Sequence, residues 1–151
     1  MPLSTNERIL TAMGWIGWAL LSAVFAAATA LLAKVGVEGV DSNLATAVRT
    51  TVVLVFTWTI SLGLGHHHAL GAISRRSWIF LVISGIATGL SWLCYFRALQ
   101  LGPASGVAPV DKLSVVIVIL CAWLFLGESL TWMKAAGGLL MTAGAALLAF
   151  A

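Results

Sequence analysis

Five long apolar stretches constrain this chain more than any other feature of it. They cover about residues 9–33, 44–64, 78–99, 107–126 and 132–151. A helix needs roughly 20 apolar residues to cross the ~30 Å hydrocarbon core of a bilayer, and each stretch supplies them. The intervening breaks have the character of a membrane surface. Lys34 to Asn43 is charged and glycine-rich, and Gly65 to Arg76 carries three histidines and two arginines. Leu101-Gly102-Pro103 and Gly127-Glu128-Ser129 are tight turns. Trp15, Trp18, Trp78, Trp123 and Trp132 lie near span ends, where indole rings favour the interface. The chain is 61% hydrophobic and 9% charged, far from the ~45–50% and ~25% of soluble domains. The predicted fold is an all-α membrane protein, a single domain over residues 1–151 with five transmembrane helices.

The first stretch has an apolar run of about 24 residues after Arg8, longer than the ~7–15 of a signal-peptide core, so a membrane helix is expected there. Connections this short make consecutive helices antiparallel neighbours. The net charge of +3 rests on eight scattered basic residues, which argues against nucleic acid as a partner. His66, His67 and His68 are consecutive and lack the Cys, Asp or Glu neighbours that would complete a metal site, so a flexible loop without metal is expected. Cys94 and Cys121 fall near opposite faces and are read as free thiols. The sequence has no phosphate-binding loop, nucleophile elbow or zinc-protease motif, and the expectation is neither enzyme nor cofactor.

Five crossings put the two ends of the chain on opposite faces, here face A for the N-terminal side and face B for the other. Arg8, Arg75, Arg76 and Lys134 lie at or near A, and Lys34, Arg49, Arg97 and Lys112 lie near B. Four against four gives almost no positive-inside bias. Two readings follow. If Arg97 and Lys112 sit too deep to count, face A is cytoplasmic. Alternatively the chain inserts both ways up, and an antiparallel homodimer builds an inverted repeat.

Charges inside spans are costly and usually functional. With a fourth helix starting near Val107, Asp111 and Lys112 lie about 6–8 Å inside the apolar stretch. Arg49 has a similar depth in the second span, and Arg97 lies near the end of the third. Arg97 and Asp111 could pair across the turn between the third and fourth spans. Long basic side chains can also snorkel to the headgroups, which suits Lys34 and Arg97; Asp111 is too short for that. Pro109 cannot donate to the carbonyl of Ser105, so the fourth helix is either kinked near its start or carries Pro in its first turn. Lys34, Glu38 and Glu128 are read as interface charges.

Polar residues recur at helical spacing: Trp18, Ser22 and Thr29; Thr46, Thr50, Thr57 and Ser61; Ser84, Thr88, Ser91 and Tyr95 with Trp92 beside them; Asp111, Ser114 and Cys121. Such stripes either line a weakly polar cavity or glue membrane helices together. The fifth stretch is rich in small residues, and Gly137, Gly138, Thr142 and Gly144 are the expected dimer contact.

The run from Tyr95 through Arg97, Pro109, Asp111 and Lys112 to Ser114, followed by Leu124-Phe125-Leu126-Gly127-Glu128, resembles the signature of EamA-type proteins of the drug/metabolite transporter superfamily. The run Ala33 to Arg49 is similar to their short, single-repeat branch. The resemblance covers most of residues 15–150. It implies one EamA-like repeat, two copies of which associate, preferably inverted, to enclose a substrate cavity. The fifth stretch is also similar to the dimer helix of small multidrug resistance proteins. Those proteins carry a Glu in their first helix, whereas no carboxylate lies between Arg8 and Lys34 here; proton-coupled cation export by their mechanism is therefore in doubt.

The resulting expectation is a secondary transporter of small organic metabolites, such as amino acids or related amphiphilic compounds. It would work by alternating access as a homodimer in the inner (plasma) membrane, with export as its direction. Arg49, Arg97, Asp111 and Lys112 would gate or contact the substrate, with Trp92 and Tyr95 lining the path beside Pro109. The expected partners are the lipid bilayer, a small-molecule substrate and a second copy of the chain. The competing expectation is a non-transporting membrane scaffold or assembly subunit.

Overall fold

The computed structural model describes residues 14–150; Arg8, residues 9–13 of the first expected span and Ala151 lie outside the described residues. The described chain runs through α1 (Gly14–Gly36), α2 (Ser42–Gly63), a 3-10 helix (His66–Ala72), α3 (Arg75–Leu101), α4 (Ala104–Asp111), α5 (Ser114–Phe125) and α6 (Trp132–Phe150). The fourth span is divided between α4 and α5, so five segments are long and apolar enough to cross a membrane. No strand occurs among the described residues.

Local chemistry sets the helix ends. The Asp41 carboxylate accepts from the backbone N–H groups of Asn43 (2.9 Å) and Leu44 (3.1 Å), capping α2 two residues before its apolar stretch begins. Ser74 accepts from the Ser77 N–H at 3.1 Å, so α3 already includes Arg75 and Arg76. At 27 residues α3 is about 40 Å long and reaches past the hydrocarbon into the headgroup zone. Gly127, with φ 68°, adopts the left-handed conformation that lets the Glu128 N–H return to the Ala122 carbonyl at 3.2 Å and close α5. The histidine segment is a short 3-10 helix rather than the expected loop, entered through Gly65 at φ 73°.

The interruption of the fourth span lies further along than Pro109 alone suggests. Pro103 precedes the first turn, and Pro109 sits inside α4. The helix gives way just after it. The Lys112 N–H is shared between the carbonyls of Ala108 (3.3 Å) and Pro109 (3.1 Å), and the Leu113 N–H turns to Val110 (3.0 Å). Bonds to the third residue back thus replace bonds to the fourth, and a turn at Lys112–Leu113 separates the two halves.

Helix α3 is the centre of the bundle: α1, α2 and α4 all pack on it. Helix α4 also meets α1 and packs most extensively against α6, while α5 packs on α6. Helices α1 and α2 rest on α3 more than on each other, which departs from the expectation for consecutive spans. The main buried cluster, Ala33, Val37, Phe96 and Leu99, lies toward face B. Beside it, the Lys34 ammonium donates to the carbonyls of Leu99 (2.6 Å) and Gly102 (3.0 Å). Lys34 therefore caps the carboxyl end of α3 instead of snorkelling to the headgroups. Gly106 is buried where α4 crosses the end of α6, and a Cβ there would come 3.6 Å from the Leu148 carbonyl oxygen. Large apolar side chains such as Phe80, Ile86 and Leu147 cover the outside, as a lipid-facing surface requires.

Candidate functional site

Spacing on α3 builds one wall of a cavity. Tyr95 shares a helical face with Ser91 and Trp92 because it stands four residues after the first and three after the second. Arg49 of α2, Thr29 of α1, Asp111 at the end of α4 and Lys112 in the break complete a mixed polar and aromatic cavity of about 190 Å³. Five of the residues singled out in the sequence thus converge: Arg49, Trp92, Tyr95, Asp111 and Lys112. Two cations and one carboxylate leave it with a net positive charge.

The Arg49 guanidinium lies over the Trp92 ring at 4.2 Å from its centroid and 5.4 Å from that of Phe96. Trp92 stands one turn further from face B than Phe96 does, so the side chain leans inward and does not snorkel. Stacking on two π-faces favours the cation in a poorly hydrated site. No hydrogen bond or ion pair among the described residues engages this guanidinium, which keeps its five N–H donors available. Among the described residues Asp111 has one partner, the neighbouring Lys112 ammonium at 3.3 Å, and both side chains are partly exposed. A carboxylate at a helix carboxyl end opposes the helix dipole, so helix stability gives no reason for an acid there.

Other expected site residues lie nearby or apart. Pro109 lines an adjoining space of about 300 Å³ between α1 and α4, which Tyr95, Asp111 and Lys112 also border. Tyr95 and Asp111 reach a third, apolar cavity of about 430 Å³ toward Ala149 of α6. Arg97 is not part of the cluster, and the expected Arg97–Asp111 pair is not formed. Its guanidinium donates to the Gln100 side-chain oxygen at 3.0 Å, and Gln100 donates to the Val40 carbonyl. Two residues along a helix is about 200° of rotation, so Arg97 points away from the face that Tyr95 presents. Glu38 is exposed in the turn after α1, and Glu128 pairs with Lys134 at 3.2 Å on face A.

The hydroxyl stripes are self-satisfied in part. Thr46, Thr50, Thr57 and Thr88 each donate to the carbonyl four residues back, at 2.8–2.9 Å. Of the stripe residues outside the expected site, Thr29 and Ser91 reach the polar cavity. On α6, Gly138 meets Val116 of α5, and Thr142 donates to the Gly138 carbonyl at 2.9 Å. The small size of Gly138 is thus used within the chain. Gly137 and Gly144 have open space where a Cβ would stand and remain on the outer face. Sequence reading missed Phe96 and Gln100: only the four-residue step from Trp92 marks Phe96, and nothing local marks Gln100.

A five-span helical membrane protein with ionisable groups converging inside its apolar layer is the class that this fold and site define. The chain belongs to the EamA-like transporter family, whose model matches residues 13–150. It is similar to an uncharacterized transporter from the cobO 3′ region of Sinorhizobium sp., with 52% identity over 135 residues, 89% of this chain and 96% of that protein. It is also similar to the uncharacterized transporter YxxF of Bacillus subtilis (strain 168), with 28% identity over 145 residues, 95% of this chain but 45% of that protein. The chain therefore spans less than half the length of the Bacillus relative. No solved structure matches the chain.

Proposed function

We propose that the chain is a secondary transporter subunit that exports small organic metabolites, amino acids among them, by alternating access as an inverted homodimer in the inner membrane. The observation that carries this reading is the convergence of Arg49, Trp92, Tyr95, Asp111 and Lys112 on one cavity within the apolar layer. The cationic excess suits a carboxylate, Asp111 suits an amino group, and the aromatic walls accept an apolar portion. The sequence carries no nucleotide-binding motif, so a gradient would drive the cycle. The break at Lys112–Leu113 is where α4 and the end of α6 could rock against α3.

Counterflow into proteoliposomes across a panel of amino acids and metabolites tests this reading. Asp111→Asn is expected to reduce flux about 10-fold or more, a loss of the order that follows when one charge-assisted contact is removed, while leaving thermal stability close to that of the parent. If no panel member is exchanged by folded protein, or if Asp111→Asn lowers stability instead of flux, the scaffold reading replaces this one.

A further inference from the structure

Arg49 borders a second space besides the polar cavity. Because α1 and α2 pack on α3 rather than on each other, a groove of about 520 Å³ lies between them, floored by Phe96. Leu32, Gly36, Val40, Leu44 and Val48 give it apolar walls, and Arg49 is the one charged residue along it. The same guanidinium thus ends a lipid-facing groove and lines the polar cavity.

We propose that this groove binds the hydrocarbon portion of a single-chain carboxylate amphiphile, with its carboxylate held by Arg49 at the junction with the polar cavity. Three observations select this occupant. The guanidinium has no carboxylate partner and no hydrogen-bond acceptor among the described residues, so an anionic head supplies what the chain does not. Apart from Thr29 and Arg49, both at its inner end, the groove is lined by apolar side chains, which bury an apolar tail but offer a polar one no side-chain partners. Arg49 stands seven residues into α2, about 10 Å below the start of that helix. A bilayer phospholipid is held in its leaflet by two chains and a large head group, whereas a single-chain acid is small enough to leave the leaflet and lie along the groove, which runs from Arg49 toward Val40 at face B. The groove opens sideways between the two helices, so such a ligand reaches Arg49 from the lipid rather than from water. The proposal builds on the assignment of the Arg49 cluster as the substrate site, and binding measured without flux tests it separately.

The experiment measures binding of labelled octanoate, acetate, octanol and octylamine to the full chain in lipid nanodiscs, with empty nanodiscs subtracted. Octanoate is expected to bind about tenfold tighter than each of the other three probes, a difference that direct titration resolves. Gly36→Trp fills the groove from a position where a Cβ would meet nothing within 4 Å. It is expected to weaken octanoate binding about tenfold, and Val48→Trp, on the opposite wall, serves if the first variant misfolds. Arg49→Gln is expected to erase the preference for octanoate over octanol. Octanol or octylamine binding as tightly as octanoate overturns the proposal, as does octanoate binding no tighter than acetate. Unchanged octanoate affinity in a folded groove-filled variant overturns it too. Octanoate binding as described without any counterflow would defeat the transport reading and leave the groove standing. Counterflow by folded protein that shows no preference for octanoate in the binding assay would do the reverse.

Discussion

Lys34 donates to two carbonyls at the end of α3, while Arg49, also in the half of the bundle toward face B, donates to none among the described residues. The two cations should therefore respond differently to removal. Charge-assisted hydrogen bonds contribute about 1.5–3 kcal/mol, so Lys34→Met is expected to lower unfolding stability by about that amount, read as an earlier midpoint in denaturant titration. Arg49→Gln forfeits only ring stacking, worth about 0.5–2 kcal/mol, and should show its main effect on substrate binding. Equal losses of stability in both variants would contradict this division. The sequence makes both residues visible as charges in or beside apolar stretches but does not distinguish them. Their roles depend on what stands opposite: frayed carbonyls at Leu99 and Gly102 for Lys34, a Trp92–Phe96 face for Arg49. The position of Asp111 at the cavity is legible because a short carboxylate has no route to the headgroups, whereas the orientation of Arg97 is not, because depth alone does not say which way a side chain faces.

At the scale of elements, hydropathy located all five spans because lipid demands length and apolarity from each. It misjudged ends where polar caps extend a helix, as Asp41 and Ser74 do. Hydropathy gave the fourth span as one stretch; Pro109 offered a kink near its start as one of two readings, and the break falls at Lys112–Leu113, where backbone bonds turn to the third residue back. The first half of that span is fixed by its crossing with α6. A methyl at Gly106 would meet ordinary contacts of 3.6–3.9 Å, whereas a larger side chain would collide with the backbone at Leu148 and Ala149. Gly106→Ala is therefore expected to be nearly neutral. Gly106→Leu should cost about 1–3 kcal/mol through overpacking, measured by the same titration. A neutral Gly106→Leu would mean that α4 is free to separate from α6, contrary to the packing described.

The tryptophans are distributed unevenly across the molecule. Trp15, Trp18, Trp58, Trp78, Trp123 and Trp132 all lie in the half toward face A, and Trp92 alone lies toward face B, at the cavity. Membrane proteins ordinarily carry aromatic belts at both interfaces. One copy of this chain has a belt at one interface only, and two copies in opposite orientations would supply both. Length argues the same way: the Bacillus relative is more than twice as long as the region it shares with this chain, which leaves room for a second such unit. Two five-span units joined end to end are necessarily inverted relative to each other, because five is odd. A single unit that works as such a pair must then insert both ways up, for which its nearly balanced basic residues are suited. A reporter fused after residue 151 is accordingly expected to be found on both sides of the membrane. Arg75 and Arg76 are the most concentrated charge on face A, so replacing both with Ala should bias insertion toward one orientation, and adding lysines to that turn should bias it toward the other. Each biased variant alone is expected to lose most of its flux, and co-expression of the two should restore it. A reporter confined to one side of the membrane, or full flux from a single biased variant, would exclude the inverted pair and leave a parallel assembly through the Gly137 and Gly144 face of α6, where added Cβ atoms meet open space, as the arrangement to test.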